Sequence, residues 1–128
     1  MSIVRAVKRW GPLALWVAFI FLASSIPDMP GGYNNFPEGT DKVVHFIEYF
    51  VLSLFLYRGI KDKTIGNRWL LLASIVVIGF VVACLDEFYQ YFVPGRDSSI
   101  MDLAADFAGI FSGALLVLYG RGRYPSEG

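Results

Sequence analysis

Charge is scarce in this chain, and neither sign prevails. Only 17% of its 128 residues are Asp, Glu, Lys or Arg, and 11 acidic residues balance 11 basic ones. A nucleic-acid binder carries a clear excess of Lys and Arg, so that class is excluded and no nucleic-acid partner is expected. Disorder requires low hydrophobicity with high net charge, whereas 55% of these residues are hydrophobic. The lone cysteine, Cys84, rules out an intrachain disulfide scaffold. The lone histidine, His45, makes a sparse imidazole set for a metal. No strand-length run alternates polar and apolar residues, which argues against a β-barrel. What is abundant is apolar side chain. Its share exceeds the roughly 45–50% of soluble domains, and so short a chain has too much surface to hide it.

The apolar residues gather in four runs, at about 10–26, 43–57, 69–93 and 102–119. Crossing a bilayer takes a helix of about 20 mostly apolar residues, within roughly 17–25. The first and third runs meet this directly, and the others do once their amphipathic ends are counted. The expected fold is all-α: one integral-membrane four-helix bundle over residues 1–128, with both termini cytoplasmic. Pro27–Lys42 reads as a loop and Arg58–Arg68 as a basic connector. Pro94–Met101 opens with a Pro-Gly pair suited to a type II turn. The tail Gly120–Gly128 reads as polar and mobile. The basic start and Ala23-Ser24-Ser25 have features of a cleaved signal peptide, but an even number of crossings with both basic ends inside is the simpler account. Cys84 is expected as a small core residue.

Sorted by side, the zero net charge is a cancellation. Arg5, Lys8, Arg9, Arg58, Lys61, Lys63, Arg68, Arg121 and Arg123 fall on one face, opposed there by Asp62 and Glu127. The other face and the span ends leading to it carry Asp28, Glu38, Asp41, Glu48, Asp86, Glu87, Asp97, Asp102 and Asp106 against Lys42 and Arg96. Basic loops stay in the cytoplasm, which places both termini of this multi-pass chain inside. Trp10, Tyr57, Trp69 and Tyr119 sit where an inner aromatic belt belongs.

The acidic face is patterned. Asp41, His45 and Glu48 share one helix face at i, i+4, i+7, and Asp86 and Gln90 share another, with Glu87 about a hundred degrees round. Asp102, Asp106, Gly109 and Gly113 fall at i, i+4, i+7, i+11, so the carboxylate face of the last span is also its glycine face. Glycines spaced this way mark close helix contact in membranes, so these carboxylates should point into the bundle. Simpler roles compete. Thr40 or Asp41 can cap the second span, Ser99 with Asp102 reads as a capping box, and Arg96 with Asp97 can be an exposed loop pair. The group His45, Glu48, Asp86, Glu87 and Gln90 is harder to dismiss, because ionisable residues facing lipid are costly.

These residues resemble the VanZ-like family of small bacterial membrane proteins. The likeness rests on Asp41–Tyr49, on Asp86–Gln90 running to Pro94-Gly95-Arg96, and on Asp102–Asp106 with Gly109. Ser24-Ser25-Ile26-Pro27 adds to it, and nearly the whole chain is covered. One departure is Asp106, where the family typically has Asn. The resemblance implies an integral membrane protein linked to the bacterial envelope, since the founding member is associated with resistance to the glycopeptide teicoplanin.

Three functions are then weighed. The first is a non-catalytic envelope protein binding membrane lipids or a lipid-linked or cell-wall precursor at an outer-face cluster of Asp41, Lys42, His45, Glu48, Asp86, Glu87, Gln90, Arg96, Asp102 and Asp106. The second is a metal-dependent hydrolase or transferase acting on a phosphorylated lipid. In it His45, Glu48, Asp86, Glu87 and Asp102 would hold Mg²⁺, Mn²⁺ or Zn²⁺, Arg96 would steady phosphoryl charge, and His45 or Glu48 would act as base. The third is a proton- or cation-coupled transporter using the acids as a relay, disfavoured because they lie at one end of the spans.

Overall fold

A computed structural model describes residues 1–27, 36–63 and 66–121. Part of the expected loop (28–35), residues 64–65 of the basic connector and the tail 122–128 lie outside them, and with them Asp28, Arg123 and Glu127 of the charge division. The described residues form four helices and no strand: α1 Ile3–Ser24, α2 Thr40–Ile60, α3 Arg68–Tyr91 and α4 Ile100–Arg121.

Each helix outruns its apolar stretch at one or both ends. α1 starts at Ile3 because the Ser2 side chain caps the Arg5 N–H, so the basic first turns are helical although polar. Asn67 caps α3 in the same way, accepting from Leu70 N–H at 2.9 Å. α2 begins without a side-chain cap, after Gly39 at φ 87°, a backbone that glycine adopts without strain. The Thr40 hydroxyl instead donates to the Pro37 carbonyl at 2.7 Å, and Asp41 faces Lys42. α3 stops at Tyr91, short of the expected Val93, because Val93–Arg96 forms a turn. Arg96 N–H donates to Val93 O at 3.1 Å and Gly95 has φ 79°, the geometry of the expected type II turn.

Consecutive helices run antiparallel. Arg9 of α1 donates to the carbonyl of Gly59 near the end of α2, while Ser24 at the end of α1 meets Gln90 at the end of α3. The core centres on α2: Tyr49, Leu52 and Leu56 pack with Ile20, Leu71, Ile75, Ala83, Ile110 and Ala114. α1 touches α2 and α3 but not α4.

The tightest seam joins α2 and α4. A Cβ on Gly109 would collide with the Phe46 carbonyl oxygen and come within 2.9 Å of Phe50 N. One on Gly113 would meet Ser53 Oγ and, at 2.9 Å, Phe50 O. The glycine face expected from spacing is therefore where two backbones touch, without the bulk of a side chain between them.

α1 is held by Ile20, Leu13, Trp16 and Val17 against the core and by a set of polar hooks. Trp16 Nε1–H donates to the Glu48 carbonyl at 2.9 Å, and Trp10 lies flat against Gly59. Pro12, inside α1, has no N–H to give the Lys8 carbonyl. Arg58 Nη2 of α2 donates to that carbonyl at 2.9 Å.

All four helices are long and apolar enough to cross a membrane. Their outward faces carry large apolar residues such as Leu15, Leu22, Val77, Val81, Leu85 and Leu116. Such a surface suits lipid and would be a liability in water, so the chain is a multi-pass membrane protein. Trp10, Tyr57, Trp69 and Tyr119 all lie at the end where α1 and α3 begin. Cys84 is exposed, not in the core. The buried stripe of α3 runs through Leu71, Ile75, Gly79 and Ala83, and its next residue turns outward.

Candidate functional site

Three buried stripes change from apolar to polar at the same end of the bundle. On α3, Ala83 is followed on the inner face by Asp86, Glu87 and Gln90. On α2, Leu52 and Tyr49 lead to His45, and on α4, Ala114 and Ile110 lead to Asp106 and Asp102. The result is a knot of five buried ionisable groups on three helices: His45, Asp86, Glu87, Asp102 and Asp106. Their desolvation is costly, so each needs a partner.

The partners divide the knot into three parts. Towards α1, Asp86 Oδ2 accepts from Tyr49 Oη–H at 3.1 Å and from Gln90 Nε2–H at 3.3 Å, and Gln90 also reaches Ser24 Oγ at 3.1 Å. At the α2 and α4 starts, Lys42 bridges Asp41, at 2.5 Å, and Asp102. In the middle, His45 Nδ1 lies 2.8 Å from Asp106 Oδ1 and 3.9 Å from Glu87 Oε1.

Glu87 settles the question of the capping box. Its Oε2 accepts from Ser98 Oγ–H at 3.1 Å and from Ser99 N–H at 3.3 Å. In a capping box that N–H would go to the Asp102 carboxylate. Asp102 is instead drawn to Lys42, and a carboxylate from another helix takes its place. Ser99 Oγ still caps α4, accepting from Met101 N–H at 3.1 Å.

Arg96 is more than an exposed loop residue. Its Nε and Nη2 donate to the carbonyls of Ser24 and Ala23 at 3.4 and 3.3 Å. The last carbonyls of a helix lack intrahelical donors, and a cation there is favourable. Glu48 is half-buried and forms no ion pair among the described residues, and its backbone carbonyl serves Trp16.

Three buried carboxylate oxygens lack a hydrogen-bond partner among the described residues: Asp86 Oδ1, Glu87 Oε1 and Asp106 Oδ2. His45, Glu87 and Asp106 each offer a donor atom, all within 4.8 Å of one another. This is not the five-residue donor set read from the sequence. Glu48, Asp86 and Asp102 lie outside the trio, Asp86 being turned to Tyr49 and Gln90 and Asp102 to Lys42, while Asp106 belongs to it. Sequence reading missed Tyr49, Ser98 and Ser99 as partners. Tyr49 was within reach, lying four residues past His45 on the same helix face.

Above the knot opens a cleft of about 530 Å³. Lys42, His45, Gln90, Arg96, Asp41 and Asp102 line it, so both cations of the acidic end are at its wall. It is a polar recess at the end of an otherwise apolar bundle, with donors on its rim and buried acceptors beneath.

The model of the VanZ/LLP1 family matches residues 9–121, from within α1 to the end of α4. No curated protein and no solved structure matches the chain.

Proposed function

The chain belongs to the VanZ/LLP1 family, and from that membership we propose that it is a bacterial envelope protein binding a phosphorylated lipid headgroup or lipid-linked cell-wall precursor. The reading places it in the cytoplasmic membrane with both termini inside and the cleft on the outer face. The observation that carries it is the cleft itself, where Lys42 and Arg96 share a wall with Asp41, Asp102 and Gln90. Phosphate oxygens are matched by the two cations. Hydroxyl or amino groups of the same ligand are matched by the carboxylates. The apolar outer faces of the helices accommodate its acyl or prenyl tail. By occupying such a precursor, the protein would lower susceptibility to teicoplanin.

The test uses purified protein in mild detergent, titrated with a short-chain phosphatidylglycerol and with a polyprenyl diphosphate. Losing one charge-assisted contact removes about 1.5–3 kcal/mol. Lys42→Gln and Arg96→Gln should therefore each weaken binding by roughly 10–100-fold, with Asp62→Asn at the opposite end as the unchanged control. In a bacterial host, expression should reduce teicoplanin susceptibility, and both variants should cancel this at equal abundance. Undiminished binding in the double variant would overturn the reading.

A further inference from the structure

We propose that His45, Glu87 and Asp106 form a binding site for one divalent first-row transition cation, Zn²⁺ or Mn²⁺. The site stands independently of the headgroup reading, since it is built from buried groups beneath the cleft and is tested with the metal alone.

Three observations converge. The first is donor geometry. Around a tetrahedral ion bound at about 2.0–2.2 Å, neighbouring donors are roughly 3.4 Å apart. His45 Nδ1 is 2.8 Å from Asp106 Oδ1 and 3.9 Å from Glu87 Oε1, so the distances straddle that value. An ion there takes the place of the proton shared by His45 and Asp106, lengthening the first distance and closing the second by about half an ångström each.

The second is the unanswered acceptors. Asp106 is fully buried and the Glu87 side chain is 8% exposed, yet Asp106 Oδ2 and Glu87 Oε1 lack a hydrogen-bond partner among the described residues. A buried acceptor without a donor carries an uncompensated desolvation cost, larger when it is charged. Neither carboxylate is paired to Lys42, which is engaged by Asp41 and Asp102. A divalent cation held by Glu87 Oε1 and the Asp106 carboxylate answers Glu87 Oε1 directly and balances both charges.

The third is orientation from outside the donor set. Glu87 Oε2 is held by Ser98 Oγ–H and Ser99 N–H, which turns Oε1 towards His45. Ligating carboxylates are positioned by such outer hydrogen bonds. His45 also lines the cleft, which gives an ion a path in from water.

One imidazole with two carboxylates selects the metal class. Ca²⁺ seeks six to eight oxygens, more than this site offers. Mg²⁺ keeps an octahedral, water-rich shell. Imidazole nitrogen favours zinc and its neighbours, and carboxylate oxygen extends the range to manganese.

The experiment uses tag-free full-length protein in mild detergent, stripped with chelator and titrated calorimetrically with Zn²⁺ or Mn²⁺. About one ion per chain is expected. Glu87→Gln and Asp106→Asn should each weaken binding at least about tenfold, with Asp62→Asn unchanged. If the variants misfold, X-ray absorption of the loaded wild type decides, with one imidazole and carboxylate oxygens expected around the ion. No uptake by the wild type, full affinity in both variants, or a sulfur-containing shell would each overturn the proposal.

Discussion

The carbonyl of Lys8 shows how one residue's missing atom is answered by another helix. Pro12 cannot donate to it, and the Arg58 guanidinium does so across the α1–α2 interface. Arg58→Ala should then lower stability by about 1 kcal/mol, the net worth of such a bond. With Pro12→Ala as background, the helix supplies its own N–H and the same substitution should cost less. Reversible unfolding in detergent of the four proteins of this double-mutant cycle checks the coupling, and equal costs in both backgrounds would refute it. Arrangements of this kind were beyond sequence reading. That Asp106 meets His45, or that Glu87 takes the Ser99 N–H, depends on how far each helix is rotated about its axis. Spacing along one helix says which side chains share a face and leaves open what they meet.

At the level of elements, the α2–α4 seam is the most constrained contact. A methyl at Gly109 would collide with backbone, which cannot step aside as a flexible side chain can. Gly109→Ala should force the helices apart and destabilise the bundle by about 1–3 kcal/mol. Gly120→Ala, with nothing within 4 Å of the added carbon, should be neutral or slightly stabilising. A thermal shift measured on both variants checks this, and equal melting temperatures would contradict the seam. This seam was legible beforehand, because glycines at i and i+4 on a carboxylate-bearing face have few other uses within a membrane span. The helix ends were less so. Ile3–Arg9 is helical although rich in charge, since Ser2 caps it and hydrogen bonding along a helix does not require apolar side chains.

For the whole molecule, the division of charge is the governing feature. Arg5, Lys8, Arg9, Arg58, Lys61, Lys63 and Arg68 lie towards one end, and Asp41, Asp86, Glu87, Asp97, Asp102 and Asp106 towards the other. On the proposed orientation, basic end inside, a cysteine at Asp97 in a Cys84→Ser background should react with a membrane-impermeant maleimide on intact cells. A cysteine at Lys63 should react only after permeabilisation, and the reverse pattern would invert the topology. The four crossings and their polar end were legible because about 20 apolar residues and clustered acids leave few alternatives. The cleft was not, since it is enclosed by the α2 start and the α3–α4 turn together. The hooks on α1 also impose an order on biogenesis. α1 leaves the ribosome before α2, α3 and α4, yet each group that fastens it lies later in the chain. Its basic end can latch once Gly59 has been made, while Ser24 must wait for Gln90 and Arg96. The earliest made of the four helices is thus among the last to be secured, and until then its backbone carbonyls stand open to whichever donor reaches them.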